Sequence, residues 1–464
     1  MTPDRPAPLP PADLEDSYPL ASLQRVMLVQ GLARPDSGTY LQQKVCDWRE
    51  PLDAALLEQA WQRVVDRHPM LRTSFLLEGP GGGRQRVHRH ARLPWHVEDW
   101  RELAPDEQDR RFEAHVAADR HRDFDLQVPP LLRLALFRCA ERRWRLLLTY
   151  HHAALDGRSE GIVLREALDL YDALAAGRAA DLPAPPRPYR EFIAWLGERD
   201  AGAARDYWRE TFEGWTAPTS LAGCLPGPQG APSGERYGAH EIRLSREASD
   251  ALAAFAREQD VTLNSLVLGA WGELLSRYSG ETDVTFGVTV ALRGRPPDPF
   301  AGSVGLFINS VPMRLVADPA LPLSRWLQAV RAQWRSMRPH AWAPLPEIRK
   351  WAGAGHAAPL FRSLVVFEHA PVGARLREER PQWANREFAF RVAPTHPLTL
   401  VAFGAPVVWL RIVYERATFD SAAVAAMVEH LRILLEGMSR ERDVPLAQRT
   451  LLAEDERRRL VVEW

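Results

Sequence analysis

Tyr150-His151-His152-Ala153-Ala154-Leu155-Asp156-Gly157 sets two imidazoles at the end of an apolar run, with a carboxylate four residues on and a glycine behind it. Imidazole, with a reference pKa of about 6.5, can take a proton from an amine or alcohol nucleophile near neutral pH, so these residue types suit acyl-transfer chemistry. The elements that must position them are legible nearby. Residues 144–150 are apolar and aromatic enough for a buried strand, and the segment after Gly157 carries Ile162, Val163, Ala167, Leu170 and Tyr171 at helical spacing. The motif therefore sits in a strand-to-helix turn. Neighbouring side chains on a strand point to opposite faces, so one of His151 and His152 is a candidate catalyst and the other packs.

Asp156 lies too close across a tight turn to be a triad carboxylate, and reads as a structural anion whose partner comes from elsewhere in the chain. Gly157 would allow a backbone turn closed to other residues and bring an N–H near the reacting group, with the helix N-terminus adding donors and its positive dipole end. Taken singly, each residue has a bland explanation: a packed core histidine, a helix N-cap. Taken together, two His, a three-residue gap and Asp-Gly arise by chance in such a chain on the order of once in a thousand. Ser159 is the reserve nucleophile, or else a helix-start hydroxyl.

With these residues on the page, the chain resembles the condensation domains of nonribosomal peptide synthetases, of the chloramphenicol-acetyltransferase-like superfamily, whose central motif has the form His-His-x-x-x-Asp-Gly. Pro19-Leu20-Ala21-Ser22-Leu23-Gln24 is similar to the family's opening motif and Arg67-His68-Pro69-Met70-Leu71-Arg72-Thr73-Ser74-Phe75 to its second. Phe124-Asp125-Leu126 with Pro130-Leu131-Leu132-Arg133 resembles the lead-in to the active site, and Tyr189-Arg190-Glu191-Phe192-Ile193-Ala194-Trp195 the start of the second half. Gly294-Arg295-Pro296, Val304-Gly305-Leu306-Phe307-Ile308-Asn309-Ser310 and His396-Pro397-Leu398 follow in order.

The resemblance implies an α+β fold of two acetyltransferase-like lobes in a V-shaped pseudo-dimer, with the active site in a tunnel at their junction. It implies that His152 faces the tunnel and that Asp156 pairs with Arg295 to hold the motif loop. A buried carboxylate needs such a partner. Asn309 and Ser310, on a strand entering the junction, are either substrate-channel groups near a bound thioester or a structural polar pair, and Ser159 is grouped with them. The implied reaction joins a thioester-bound acyl donor to a carrier-bound aminoacyl acceptor. No cofactor is tightly bound in such a reaction; substrates ride on the 4′-phosphopantetheine of carrier proteins or on CoA. The partners implied are an acceptor peptidyl carrier protein, a donor acyl carrier protein or acyl-CoA, and an adjacent adenylation domain.

Composition agrees with a globular protein of this kind. The chain has 464 residues, 46% hydrophobic and 26% charged, with a net charge of −1. That length accommodates two domains, and so small a charge sets up no field for nucleic acid or an anionic membrane. Arginine supplies nearly all the positive charge, Lys44 and Lys350 being the only lysines. Cys46, Cys139 and Cys224 lack metal-ligand spacing, and no segment is long and apolar enough to span a bilayer. The N-terminus lacks the apolar core of a signal peptide, so the expected compartment is the cytoplasm.

The proline-rich stretch 177–188 places the lobe boundary, giving lobes over 1–180 and 181–450. Residues 451–464 resemble the linker into an adenylation domain. With a starting methionine and no upstream carrier domain, that linker suggests a starter condensation domain, which N-acylates the first carrier-bound amino acid. A free-standing condensation enzyme or a CoA-dependent acyltransferase, forming an amide or ester on a small molecule, is the alternative. A recruitment domain or an epimerase of the same fold fits less well. Arg158 stands where the family often has an aromatic.

Further elements expected are helices at 246–259 and 262–278, the second capped by Thr262, and strands at 283–290, 305–315, 361–367 and 407–413. Residues 87–97 read as one half-buried strand with His88, His90 and His96 on its wet face rather than as metal ligands. The glycine-rich stretch 79–83 and residues 226–234 read as surface loops.

Overall fold

The computed structural model describes residues 13–78, 83–225, 227, 236–294, 297–355, 359–391, 396–453 and 456–458. The chain forms two compact units. One gathers Met1–Arg199, Arg293–Ile308 and Val372–Ala393; the other gathers Asp200–Leu292, Asn309–Pro371 and Pro394–Trp464. Two contiguous lobes meeting at 180/181 differ from this division for a packing reason. The helix Tyr189–Gly197 buries Tyr189 and Phe192, and the Tyr189 ring meets Phe307 edge-on at 5.1 Å, so 181–199 stays with the first unit. Two later segments also return there, through pairings that linear sequence does not display. Most of the stretch resembling an adenylation linker, 451–464, and most of the loops expected at 79–83 and 226–234 lie outside the described residues.

In the first unit, a five-stranded sheet runs in the order Arg386–Arg391, Leu41–Trp48, Arg143–His151, Leu132–Ala140, Trp95–Asp99. Its pairs are antiparallel except the last. The central strands are buried on both faces, which is why Arg143–His151 reads as a nearly continuous apolar run rather than an alternation. On one face, Val45, Ala135, Phe137 and Leu147 pack on Phe112 and Val116 of the helix Pro105–Arg120. The helices Ala54–Arg67 and Gly157–Ala175 pack on each other, burying Leu57, Trp61 and Val64 from one and Val163, Ala167 and Leu170 from the other.

A three-stranded sheet, Leu14–Pro19, Arg84–His88, Thr73–Leu76, completes this unit. The strand expected over 87–97 is therefore two strands in different sheets. His90 and His96 are exposed as expected, but His88 is buried, its Nε2 2.7 Å from the Ser74 hydroxyl and its Nδ1 3.4 Å from Asp13.

The second unit is built on a six-stranded sheet in the order Ile308–Val316, Asp283–Ala291, Ser363–Glu368, Leu398–Phe403, Trp409–Glu415, Tyr237–Arg243. Its helices form where periodicity and caps place them. Thr262 accepts the Ser265 N–H at 3.1 Å to open Leu263–Ser279, Gly280 closes it at a left-handed φ of 73°, and Leu266, Ala270, Trp271 and Leu274 are its buried stripe. The strand expected from 305 starts only at Ile308, because the backbone before it is committed to the first unit.

Candidate active site

The strand Arg143–His151 ends in a turn that leads to the helix Gly157–Ala175. The His152 N–H donates to the Tyr40 carbonyl at 2.8 Å, so the ladder continues one residue past the strand. His151 is buried, and its Nδ1 accepts the Ala153 N–H at 3.1 Å. Burial, reinforced by the neighbouring His152, pushes its pKa down to about 3, so it packs as a neutral ring.

His152 is half-buried and differently wired. Its Nδ1 lies 2.8 Å from the Leu155 carbonyl, which can only accept, so the proton of the neutral ring sits on Nδ1 and Nε2 keeps its lone pair. Burial lowers its pKa; the Leu155 carbonyl, Asp156 and Glu160 offset part of that. The geometry is that of a base held in one tautomer and neutral at pH 7.

Asp156 is the N-cap of the helix and a hub. Its Oδ1 accepts from the Ser159 N–H at 2.7 Å and from Arg293 Nη2 at 2.6 Å, and its Oδ2 accepts from the Phe307 N–H at 2.9 Å. The cation that pairs with it is thus Arg293, two positions before the expected Arg295, which lies outside the described residues. Arg293 also donates to the Ser303 carbonyl and to Ser159 Oγ, and lies over the Phe307 ring at 4.2 Å. With both carboxylate oxygens of Asp156 and both terminal nitrogens of Arg293 engaged, part of the cost of burying the two charges is offset.

Three other expectations change. Gly157 is the first residue of the helix, an ordinary helical position, so no turn special to glycine is needed there. Ser159 is fully buried, its hydroxyl donating to the Gly305 carbonyl at 2.7 Å and accepting the Gly305 N–H at 3.0 Å; it is a strut, neither nucleophile nor channel group. Asn309 belongs to the second unit, where its amide donates to the Ala341 and Ala343 carbonyls at 2.8 and 2.9 Å and its Oδ1 accepts the Ser310 N–H, so it serves a loop rather than a substrate. Ser310 is half-buried on the same strand.

Sequence reasoning also missed two supports. Gln24, fully buried, accepts the Ala21 N–H at 2.9 Å and donates to the Ala153 carbonyl at 3.0 Å, bracing the motif turn from the first helix. Its signal was the opening motif, which ends on this glutamine. Tyr189 donates to the Leu306 carbonyl at 2.7 Å, and a Cβ at Gly305 would come within 2.4 Å of its ring, so this close approach requires glycine. Among the described residues no group of three or more His, Cys, Asp or Glu is placed to hold a metal ion, and no helix is long and apolar enough to cross a membrane.

The family model described as Condensation domain matches residues 14–461. One of the linear gramicidin synthase proteins of Brevibacillus parabrevis is 35% identical over 462 residues, covering 97% of this chain and 9% of that protein. Surfactin synthase subunit 3 of Bacillus subtilis is 28% identical, covering 96% of this chain and 34% of that protein. The chain therefore spans only a small part of these curated relatives. Among solved structures, the starter condensation domain of rhizomide synthetase in complex with C8-CoA and Leu-SNAC superposes with a TM-score of 0.77 at 19% identity, covering 94% of this chain and 98% of that one. The first condensation domain of the CDA synthetase gives 0.77 at 19%, covering 95% and 100%. At that identity these two show the acetyltransferase-like fold alone. With the family model spanning nearly the whole chain, the chain belongs to the condensation-domain family, the acyltransferases that form amide bonds in nonribosomal peptide synthetases.

Proposed function

We propose that this chain joins a thioester-held acyl donor to the amine of an aminoacyl group carried on the phosphopantetheine of a carrier protein. The observation that carries this reading is the state of His152: neutral, half-buried, with Nδ1 spent on the Leu155 carbonyl and Nε2 left to meet an amine. A thioester carbonyl is already activated, so alignment of the amine supplies most of what the reaction needs, about 7 to 11 kcal/mol in the best cases. His152 orients the amine and takes its proton as the C–N bond forms; collapse of the tetrahedral adduct then expels the thiolate, which that proton neutralises. Direct attack is supported by the burial of Ser159, whose hydroxyl is engaged with the Gly305 backbone.

The finer reading is chain initiation, with a fatty or other carboxylic acyl group delivered on CoA or a carrier protein. Its support is the likeness to a starter condensation domain crystallised with C8-CoA and Leu-SNAC. An aminoacyl carrier protein as acceptor and a following adenylation domain are the partners this reading requires.

Intact-mass detection on an aminoacyl carrier protein, offered a panel of acyl-CoA and acyl-carrier donors, tests it. Wild type acylates the carrier with at least one donor class, and His152→Ala loses on the order of 100- to 10,000-fold in rate. Acyl-CoA turnover confined to free small-molecule acceptors would replace this reading with that of a CoA-dependent acyltransferase.

A further inference from the structure

Only two lysines occur among 59 basic residues, and one of them, Lys44, is buried. It sits on the strand Leu41–Trp48, which pairs with the motif strand so that Gln42 faces Tyr150 and Lys44 faces Leu148. Side chains two apart share a face, so Gln42, Lys44, Leu148 and Tyr150 line one side of the sheet. The ladder runs on through the His152 N–H, which places His152 on that same face.

A carboxylate meets them there. Glu160, in the first turn of the motif helix and 2% exposed, accepts the Tyr150 hydroxyl at 2.8 Å and pairs with Lys44 Nζ at 3.2 Å, both on Oε2. Its Oε1 is buried and accepts no bond among the described residues. A buried carboxylate satisfied on one oxygen only is costly to keep.

We propose that Lys44, Glu160 and Tyr150 are positioning residues, a buried charge cluster that sets how readily the His152 imidazole holds a proton. Glu160 supplies negative charge on the His152 face, and Lys44 limits how much of it His152 feels. Among the described residues, charged or titratable groups near His152 also include His151 beside it and Asp156 on the turn with its partner Arg293, while the Arg375 guanidinium lies over Gly161 of the motif helix. Asp156 is already paired with Arg293 at 2.6 Å, which leaves the Lys44–Glu160 balance as the adjustable one. The Glu160 charge raises the proton affinity of His152, in agreement with this placement.

The proposal rests on His152 as the base, and its test separates the two. The His152 Cε1 resonance, assigned by its absence in His152→Gln, is titrated by NMR without substrate. Glu160→Gln moves the His152 midpoint down by about one pH unit and Lys44→Met moves it up, the size a unit charge exerts at such range inside a protein. Opposite shifts cannot come from loss of packing, which acts with one sign; Lys44→Arg stays near wild type. The acid limb of the kcat/KM profile follows the same shifts. Should Lys44→Met fail to fold, Glu160→Gln is compared with Tyr150→Phe, which keeps both charges: a downward shift in the first that is absent in the second supports the proposal. Equal midpoints, or shifts of one sign in both charge variants, overturn it. Shifted midpoints without turnover on any donor would leave the cluster standing and sink the function proposed above.

Discussion

His151 and His152 are the same residue type one position apart, yet the fold puts them in different states. His151 is enclosed and neutral, with a pKa of about 3, against about 6.5 for a histidine in the unfolded chain. Below pH 6.5 the unfolded chain binds a proton that the folded site refuses, so the stabilisation present at neutral pH is lost as pH falls towards 3, by about 1.4 kcal/mol per unit. His151→Asn keeps an acceptor for the Ala153 N–H and removes the titration. Urea unfolding of wild type between pH 6.5 and 4 is expected to lose about 1 kcal/mol per unit more than this variant, since the other histidines are common to both. Parallel curves would mean that His151 is not enclosed as described. At this scale the motif and Asp156 as an anchor were legible in the sequence. The identity of the anchoring cation was not: Arg293 and Arg295 follow the strand Asp283–Ala291 two apart, and residue type and spacing cannot separate positions that share a side in extended chain.

Strands and helices were legible where one periodicity held without competition, as in the capped helix Leu263–Ser279. They were misread where tertiary partners redirected the chain. The alternation through 87–97 continues across residues that leave one sheet and enter another, and the strand expected from 305 is shortened because Gly305 and Phe307 give their backbone to Ser159 and Asp156. That segment is what fixes the helix start behind the motif. Arg293→Met leaves Asp156 a buried carboxylate without its cation, and about 3 to 5 kcal/mol of stability should be lost in urea titrations, with acylation falling alongside. Asp156→Asn/Arg293→Met, in which no charge is left uncompensated, should cost clearly less than the single Arg293 variant. An equal or greater cost would show that hydrogen-bond geometry rather than charge holds the segment.

For the whole molecule, length, composition and the ordered motifs indicated an α+β protein in two parts, but linear order could not show that the first part is completed by residues far along the chain. The strand Arg386–Arg391 pairs with Leu41–Trp48 along its full register from Trp48 to Gln43, and Arg293 and Phe307 fill the two oxygens of Asp156. A fragment ending at Arg199 therefore keeps the motif and most of its sheet, yet exposes the Leu41–Trp48 edge and leaves Asp156 short of two of its three donors. Such a fragment, residues 1–199, should lack a cooperative unfolding transition and a native near-ultraviolet spectrum, with its fastest amide exchange along Leu41–Trp48. Co-expression with residues 200–464 should restore both, because the missing strand and the missing cation then arrive on the second fragment. A cooperatively folding 1–199 would instead mean that the core between the helix Pro105–Arg120 and the sheet suffices, and that the returning segments tune the motif turn of a unit already stable without them.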